Sequence, residues 1–316
     1  MQKLLLFSLL IGLSAKNYAQ SKSDKSLPVK DATELLNDGE DSTYKPNKPT
    51  SYFTAGIAMG NRLLSVNNKV ANSKQTSQNA LIYTPSIAYQ NKSGFNIAAG
   101  TSLLNDSSKG FTVNQYYLTT GYQLQGNSNI DFSIAYTHYF IADKYSISSS
   151  PIQNDLFTSL VYKKTWLQPG VAFDFSSGNS YEDNKRGRYY DSITNKLKSY
   201  AFIASVSHEF SWESVLKDDD GLTFSPSFLL NLGTSKVTIL HKTNATSVAQ
   251  LVGKKGKLTK FQNTKFGAES VGIDIDASYT IGKFTLEPDL YLDYYLPETT
   301  TNRVTNVFNI NLSYRF

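Results

Sequence analysis

The most constraining feature of this chain is a period of two that persists over long segments. In the last stretch, Phe308, Ile310, Leu312, Tyr314 and Phe316 share one parity, while Val307, Asn309, Asn311, Ser313 and Arg315 share the other. The stretch before it sets Phe284, Leu286, Pro288, Leu290, Leu292 and Tyr294 against Thr285, Glu287, Asp289, Tyr291 and Asp293. Ahead of that, Val271, Ile273, Ile275, Ala277, Tyr279 and Ile281 oppose Gly272, Asp274, Asp276, Ser278 and Thr280. Successive side chains of a strand point to opposite faces, so each segment reads as a strand with one apolar and one polar face. Strands of soluble sandwiches usually run about 5–6 residues. These are longer, and about ten residues are what a tilted strand needs to cross a bilayer.

The alternation predicts twelve such strands, at roughly 52–60, 80–90, 94–104, 113–125, 128–141, 155–166, 168–177, 200–213, 222–234, 271–281, 284–295 and 303–316. Their connections alternate in length. The odd-to-even gaps are long (61–79, 105–112, 142–154, 178–199, 235–270 and 296–302). The even-to-odd gaps are tight: Asn91-Lys92-Ser93, Gly126-Asn127, Leu167 and Gly282-Lys283, with 214–221 as the exception. Short turns at one end and long loops at the other are a property of membrane barrels, and a sandwich has no reason to segregate them.

Composition fits this reading. Hydrophobic residues make up 40% of the chain and aromatics 13%, yet the mean hydropathy is −0.33. A helical membrane protein, with apolar stretches of about 20 residues, is excluded. The absence of cysteine rules out a disulfide scaffold, a Cys-ligated zinc, a thiol nucleophile and a lipidated cysteine. At the N-terminus, Lys3 precedes an apolar run from Leu4 to Leu13 and small or polar residues up to Ala19, the layout of a secretory signal peptide. Losing Lys3 and Lys16 would take the formal charge from +5 to +3. The expected division is a signal peptide at 1–19, a polar N-terminal tail at 20–51 and a barrel at 52–316.

The signal peptide, the twelve alternating strands and the terminal V-F-N-I-N-L-S-Y-R-F together resemble a bacterial outer-membrane β-barrel protein, porin-like, of a Gram-negative cell. The resemblance covers about 52–316. It implies an all-β, antiparallel, up-and-down transmembrane barrel with both termini periplasmic. It also implies that Ile310, Leu312, Tyr314 and Phe316 form the C-terminal signal read by the barrel-assembly machinery. The richness in Tyr, Asn and Ser and a mature Gln start resemble barrels of Bacteroidota. Pro85, Pro226 and Pro288 fall inside predicted strands, where each removes a ladder donor, so bulges or local strand ends are expected there.

Some outer-membrane barrels are hydrolases. The twelve-stranded phospholipase family sets a His and a Ser two residues apart on one strand face, oriented by an Asn. Here His138 has Tyr136 and Phe140 as same-face neighbours, and His208 has Val206 and Phe210. Ser207 points away from His208, and His241 has no convincing acid partner. No catalytic residue and no cofactor is therefore expected. Asp218-Asp219-Asp220-Gly221 lacks the spaced carboxylates of a calcium loop and reads as a solvated turn.

The polar face carries the functional signal. A two-residue Gly282-Lys283 turn pairs residues whose numbers sum to 565, so Asp276 opposes Asp289 and Ser278 opposes Glu287. Asp274 and Asp293 share that inward face, and Arg303 and Arg315 point inward on the neighbouring strand. Opposed carboxylates repel unless a proton, a cation or a base intervenes. An internal ion-pair network is one reading of this cluster and a cation-preferring constriction or metal site the other. Inward positions overall hold Asp131, Asp174, Glu209, Glu213, Asp274, Asp276, Glu287, Asp289 and Asp293 against Lys163, Lys283, Arg303 and Arg315. The stretch 235–270, read as an outer loop, carries Lys236, Lys242, Lys254, Lys255, Lys257, Lys260 and Lys265 against Glu269 alone. Such a loop is suited to lipopolysaccharide phosphates or acidic glycans.

Twelve strands lie between side-chain-filled eight-stranded barrels and open porins. The leading expectation is a narrow channel or passive transporter for small hydrophilic solutes, with cation preference as the selectivity the acidic cluster would give it. The alternatives are a non-conducting interaction barrel within an outer-membrane complex, working through 178–199 and 235–270, and then a lipid-modifying enzyme. The expected partners are outer-membrane lipid and lipopolysaccharide, and no nucleic acid.

Overall fold

A computed structural model describes residues 50–61, 81–106, 110–125, 129–141, 152–186, 189–243, 260–297 and 303–316. The expected signal peptide, most of the expected polar tail, the expected Gly126-Asn127 turn and Lys254, Lys255 and Lys257 lie outside the described residues. Thirteen strands follow one another: β1 Tyr52–Gly60, β2 Ile82–Gln90, β3 Phe95–Asp106, β4 Gly110–Gln123, β5 Ile130–Ile141, β6 Asn154–Tyr162, β7 Gln168–Arg186, β8 Tyr189–Ser207, β9 Phe210–Glu213, β10 Asp220–Thr243, β11 Lys260–Ile281, β12 Phe284–Tyr295 and β13 Val304–Arg315. Among the described residues there is no helix.

Strands β8 and β9 form one staircase. The pairs Ser207↔Ser227 and Phe210↔Phe224 keep a single register with β10, and the break between them lies opposite Pro226. Each strand then pairs antiparallel with its sequence neighbours, and β13 pairs with β1 from Thr54↔Arg315 to Gly60↔Asn309. The result is a closed, up-and-down barrel of twelve strands. Closure leaves no edge, so every spanning ladder is satisfied by a neighbour, the condition for placing β-structure in lipid.

The expected bounds of β1 and β12 match, and most others differ by a few residues. The prolines interrupt ladders without ending most strands. Beside Pro85 the β2–β3 pairing lapses between Tyr83↔Leu103 and Ser86↔Gly100. Beside Pro288 the β11–β12 pairing lapses between Asp276↔Asp289 and Tyr279↔Leu286. Missing donors thus cost local pairing on one side only.

The segments 178–199 and 235–270 are not simply loops. Strand β7 runs on to Arg186, β8 begins at Tyr189, β10 continues to Thr243 and β11 starts at Lys260. Strand β6 pairs with β7 only as far as Asn154↔Ser177, and β12 with β11 only as far as Ser270↔Tyr295. Beyond those points the four strands project as a sheet of their own. Lys236 and Lys242 consequently lie on β10, and Lys260 and Lys265 on β11.

Exposed apolar side chains such as Phe53, Ile57, Ile87, Ile97, Tyr116, Leu160, Phe228, Ile273, Leu290 and Leu312 share the outward parity of their strands. The inward parity is buried and largely polar, including Thr119, Thr137, Ser176, Ser199 and Asn231. This arrangement inverts that of a soluble protein, and it is what a lipid-facing exterior requires.

Candidate functional site

Two β-bulges shape the interior. Between Ser102↔Gln115 and Leu103↔Val113, residue Asn114 is the extra one on β4. Between Asn231↔Ser270 and Leu232↔Ala268, residue Glu269 is the extra one on β11. A bulge reverses the in–out parity beyond it. Two consecutive polar side chains therefore turn inward at each site, Asn114 with Gln115 and Glu269 with Ser270, all at least 97% buried. The reversal also puts Phe111 and Phe266 outward, each 62% exposed.

Next to each bulge a buried tyrosine lies across a glycine. Tyr117 is directly opposite Gly100, and a Cβ there would meet its hydroxyl at 2.5 Å. The Tyr117 hydroxyl bonds Ser86 on the next strand. Tyr291 leans onto Gly272, where a Cβ would meet its ring at 2.6 Å. No other residue type leaves room for the ring at these two positions. The Tyr291 hydroxyl donates to Asp293 Oδ1 (2.9 Å) and accepts from Asn231 Nδ2 (2.9 Å), which also donates to Ser270 Oγ (2.8 Å).

The wall formed by β11, β12 and β13 is acidic. Asp276 pairs with Asp289, as the 565 register requires, and Asp289 pairs with Asn309. One carboxylate oxygen from each of Asp274, Asp276 and Asp289 lies within 4.8 Å of the other two. Glu287 accepts from Asn311 Nδ2 at 2.7 Å. The two arginines sit at opposite ends of β13. Arg303 donates to the Tyr294 hydroxyl (3.4 Å), and the Arg315 guanidinium lies 5.4 Å from the centre of the Tyr52 ring. Twelve residues of strand separate them, about 40 Å, so they do not share one ring with the acids.

Strands β2, β3 and β4 make a wall of different character. Thr84, Ser102, Asn114 and Gln115 are all at least 97% buried and uncharged. Thr84 Oγ1, Ser102 Oγ and Gln115 Oε1 have no hydrogen-bond partner among the described residues. Beside them lie the apolar pair Ile82 and Leu104 and the cluster Tyr117, Tyr139 and Ile152. In a ring of twelve, β3 and β10 are half a circuit apart.

Further acids lie between these walls. Ser176 Oγ is within hydrogen-bond distance of Asp155 Oδ1 (2.9 Å) and Asp174 Oδ1 (3.0 Å), and both acids are buried. Lys163 faces Glu209 at 3.8 Å. Sequence reasoning missed Asp155, at the start of its strand, and Glu269, whose inward turn depends on the bulge.

The ends of the barrel carry other sequence-singled groups. Ile310, Leu312 and Phe316 are exposed on the outside, and Tyr314 packs against Phe284 and Phe316 at ring distances of 4.8 and 5.0 Å. Asp220 is not a solvated turn residue. It is buried and accepts from the amides of Val215, Leu216 and Lys217 and from the Tyr279 hydroxyl (2.6 Å). Burial opposes its ionisation, but those four donors outweigh it and hold the carboxyl below the usual aspartate range. On the outward face, Asn154 Oδ1 meets both His138 Nδ1 and the Tyr136 hydroxyl at 2.8 Å. Two residues along from His138 stands Phe140, its ring 4.6 Å from the imidazole, at the position where the phospholipase arrangement would set a serine.

No protein-family model matches the chain, and no curated protein is similar to it in sequence. Solved structures show likeness in fold. An outer membrane channel from Pseudomonas putida F1 aligns with 10% identity and a TM-score of 0.44, over 87% of this chain and all of that one. The NanC porin aligns with 10% identity and a TM-score of 0.41, over 83% of this chain and all of that one. LpxR from Salmonella typhimurium aligns with 9% identity and a TM-score of 0.33, again over 83% and the whole of the other chain.

Proposed function

We propose that this protein is a narrow outer-membrane channel for small hydrophilic solutes, with a preference for cations. The observation that carries the reading is the convergence of Asp274, Asp276 and Asp289 within 4.8 Å on the inner wall of a closed ring. Three carboxylates at that spacing make this stretch of the inner wall acidic, which favours a cation over an anion. The uncharged wall on β2–β4 supplies hydroxyl and amide groups to a solute shedding part of its hydration shell. The reading contains no catalytic step, because Phe140 offers His138 no nucleophile.

Reconstitution in planar bilayers tests it. The expected result is steady conductance steps with a cation-biased reversal potential, and a bias that falls several-fold in Asp276→Asn and Asp289→Asn. Electrically silent bilayers containing correctly folded barrel would overturn it.

The four-stranded projection of β7, β8, β10 and β11 favours a second reading, an interaction barrel of a larger complex. A partner captured by the full chain and lost when 235–270 is deleted, together with absent conductance, would establish that reading instead.

A further inference from the structure

The register of the projecting sheet brings four lysines into neighbouring positions. On β8, Lys196 and Lys198 are both exposed and lie two residues apart, hence on one face. Lys198 is directly opposite Lys236 on β10. Lys196 is directly opposite Thr238, which on its other side pairs with Lys260 on β11, while Lys236 pairs with Gln262. Register therefore places four lysines on one face in two successive rows. The remaining positions of those rows, completed on β7 by Ser177 and Asn179, are Thr238 and Gln262, all uncharged. The first acid on this face is Asp183, two rows further out.

The face is identified by what lies below it. Continuing the same parity toward the tight turns, the next row holds Phe175 paired with Tyr200, their rings 4.9 Å apart. The row after that holds Phe173 and Phe202, and both phenylalanines are exposed. The lysines thus stand immediately beyond an aromatic layer that borders the lipid-facing band, the depth at which a bilayer changes from acyl chain to headgroup. Like charges directly opposite on a sheet destabilise it, and Lys198↔Lys236 is such a pair, with no carboxylate in either row to relieve it.

We propose that Lys196, Lys198, Lys236 and Lys260 form a binding site for the phosphate groups of membrane-lipid headgroups. Phosphate oxygens neutralise the positive charge of the two rows, while the acyl chains of the same lipid lie along Phe173, Phe175, Tyr200 and Phe202. A free anion would satisfy the charge alone, whereas a lipid satisfies the charge and the aromatic band below it. The inference rests on the barrel standing in a membrane and is independent of conduction.

The test uses the refolded full-length protein in a neutral detergent, titrated with diphosphoryl lipid A or with phosphatidylcholine and read by native mass spectrometry. The expected result is retention of diphosphoryl lipid A and little of phosphatidylcholine. Retention should weaken as salt rises, fall at least tenfold when all four lysines are changed to Gln, and survive when they are changed to Arg. Heat-modified gel migration and far-ultraviolet circular dichroism report whether each variant is folded. Undiminished lipid A binding by a folded Lys→Gln variant would overturn the proposal. So would its equal displacement by millimolar inorganic phosphate, which would identify a free-anion site.

Discussion

The β2–β4 wall and the β11–β13 wall are built alike and charged differently. Each has a bulge that turns two neighbouring polar residues inward, a buried tyrosine laid over a glycine, and a row of cross-strand polar partners. On β2–β4 the row is Thr84, Ser102 and Gln115, and the tyrosine contacts another aromatic, Tyr139, at 6.3 Å. On β11–β13 the row is Asp276, Asp289 and Asn309, and the tyrosine is tied to Asn231 and Asp293. The shared backbone devices turn polar side chains and a tyrosine ring into the interior. Their different side chains show that filling and charge are set independently.

Removing the tyrosines should have the largest effect. Tyr291→Ala deletes a fully buried ring and its two polar ties, and about 3–5 kcal/mol of stability should be lost by urea unfolding in vesicles. Tyr117→Ala should fall at the lower end of that range, and Tyr291→Phe should cost about 1–3 kcal/mol by removing one buried hydrogen bond each from Asn231 and Asp293. Equal losses from the two alanine variants would dissolve the distinction between the walls. Moving charge from one wall to the other is the next test. Gln115→Glu should raise cation preference about two- to threefold and Asp274→Asn lower it by a similar factor, in all less than ~1 kcal/mol, as read from reversal potentials. A Gln115→Glu barrel with unchanged selectivity would show that β2–β4 does not line the conducting path.

The smallest effect concerns Asp220, the carboxylate that β10 carries outside the membrane. Its folded pKa is depressed, so its contribution is present above the ordinary aspartate value and is lost as pH falls through the lower folded value. Proteolytic cutting within 214–219 should stay flat from pH 7 down to about 4 and rise only in stronger acid. In Asp220→Asn it should be raised throughout. Cutting that already rose between pH 7 and about pH 4 would show that the turn is not held by an ionised Asp220.

Alternation made the spanning strands legible because lipid on one side and polar lumen on the other impose a strict period. The Gly282-Lys283 turn even fixed the Asp276↔Asp289 pairing in advance, since Gly282 has a φ of 58° and a two-residue hairpin admits one register. The same logic explains what was missed. Past the apolar belt both faces of β7, β8, β10 and β11 lose their lipid, the period fades, and strands read as loops. A bulge adds one residue and shifts parity, which hid the inward turn of Glu269. Parity gives the faces of Arg303 and Arg315 and no depth; their separation of twelve residues, about 40 Å of strand, sets their different heights.

The seam between β1 and β13 has a consequence in time. The amide of Phe316 bonds to the carbonyl of Phe53, so the ring is sealed by the two strands farthest apart in the sequence, β1 and β13. Contacts of such separation are slow to form. Until the final strand arrives, β1 is an open template for any passing strand. Exposure during biogenesis, more than stability afterwards, is the hazard this architecture has to manage.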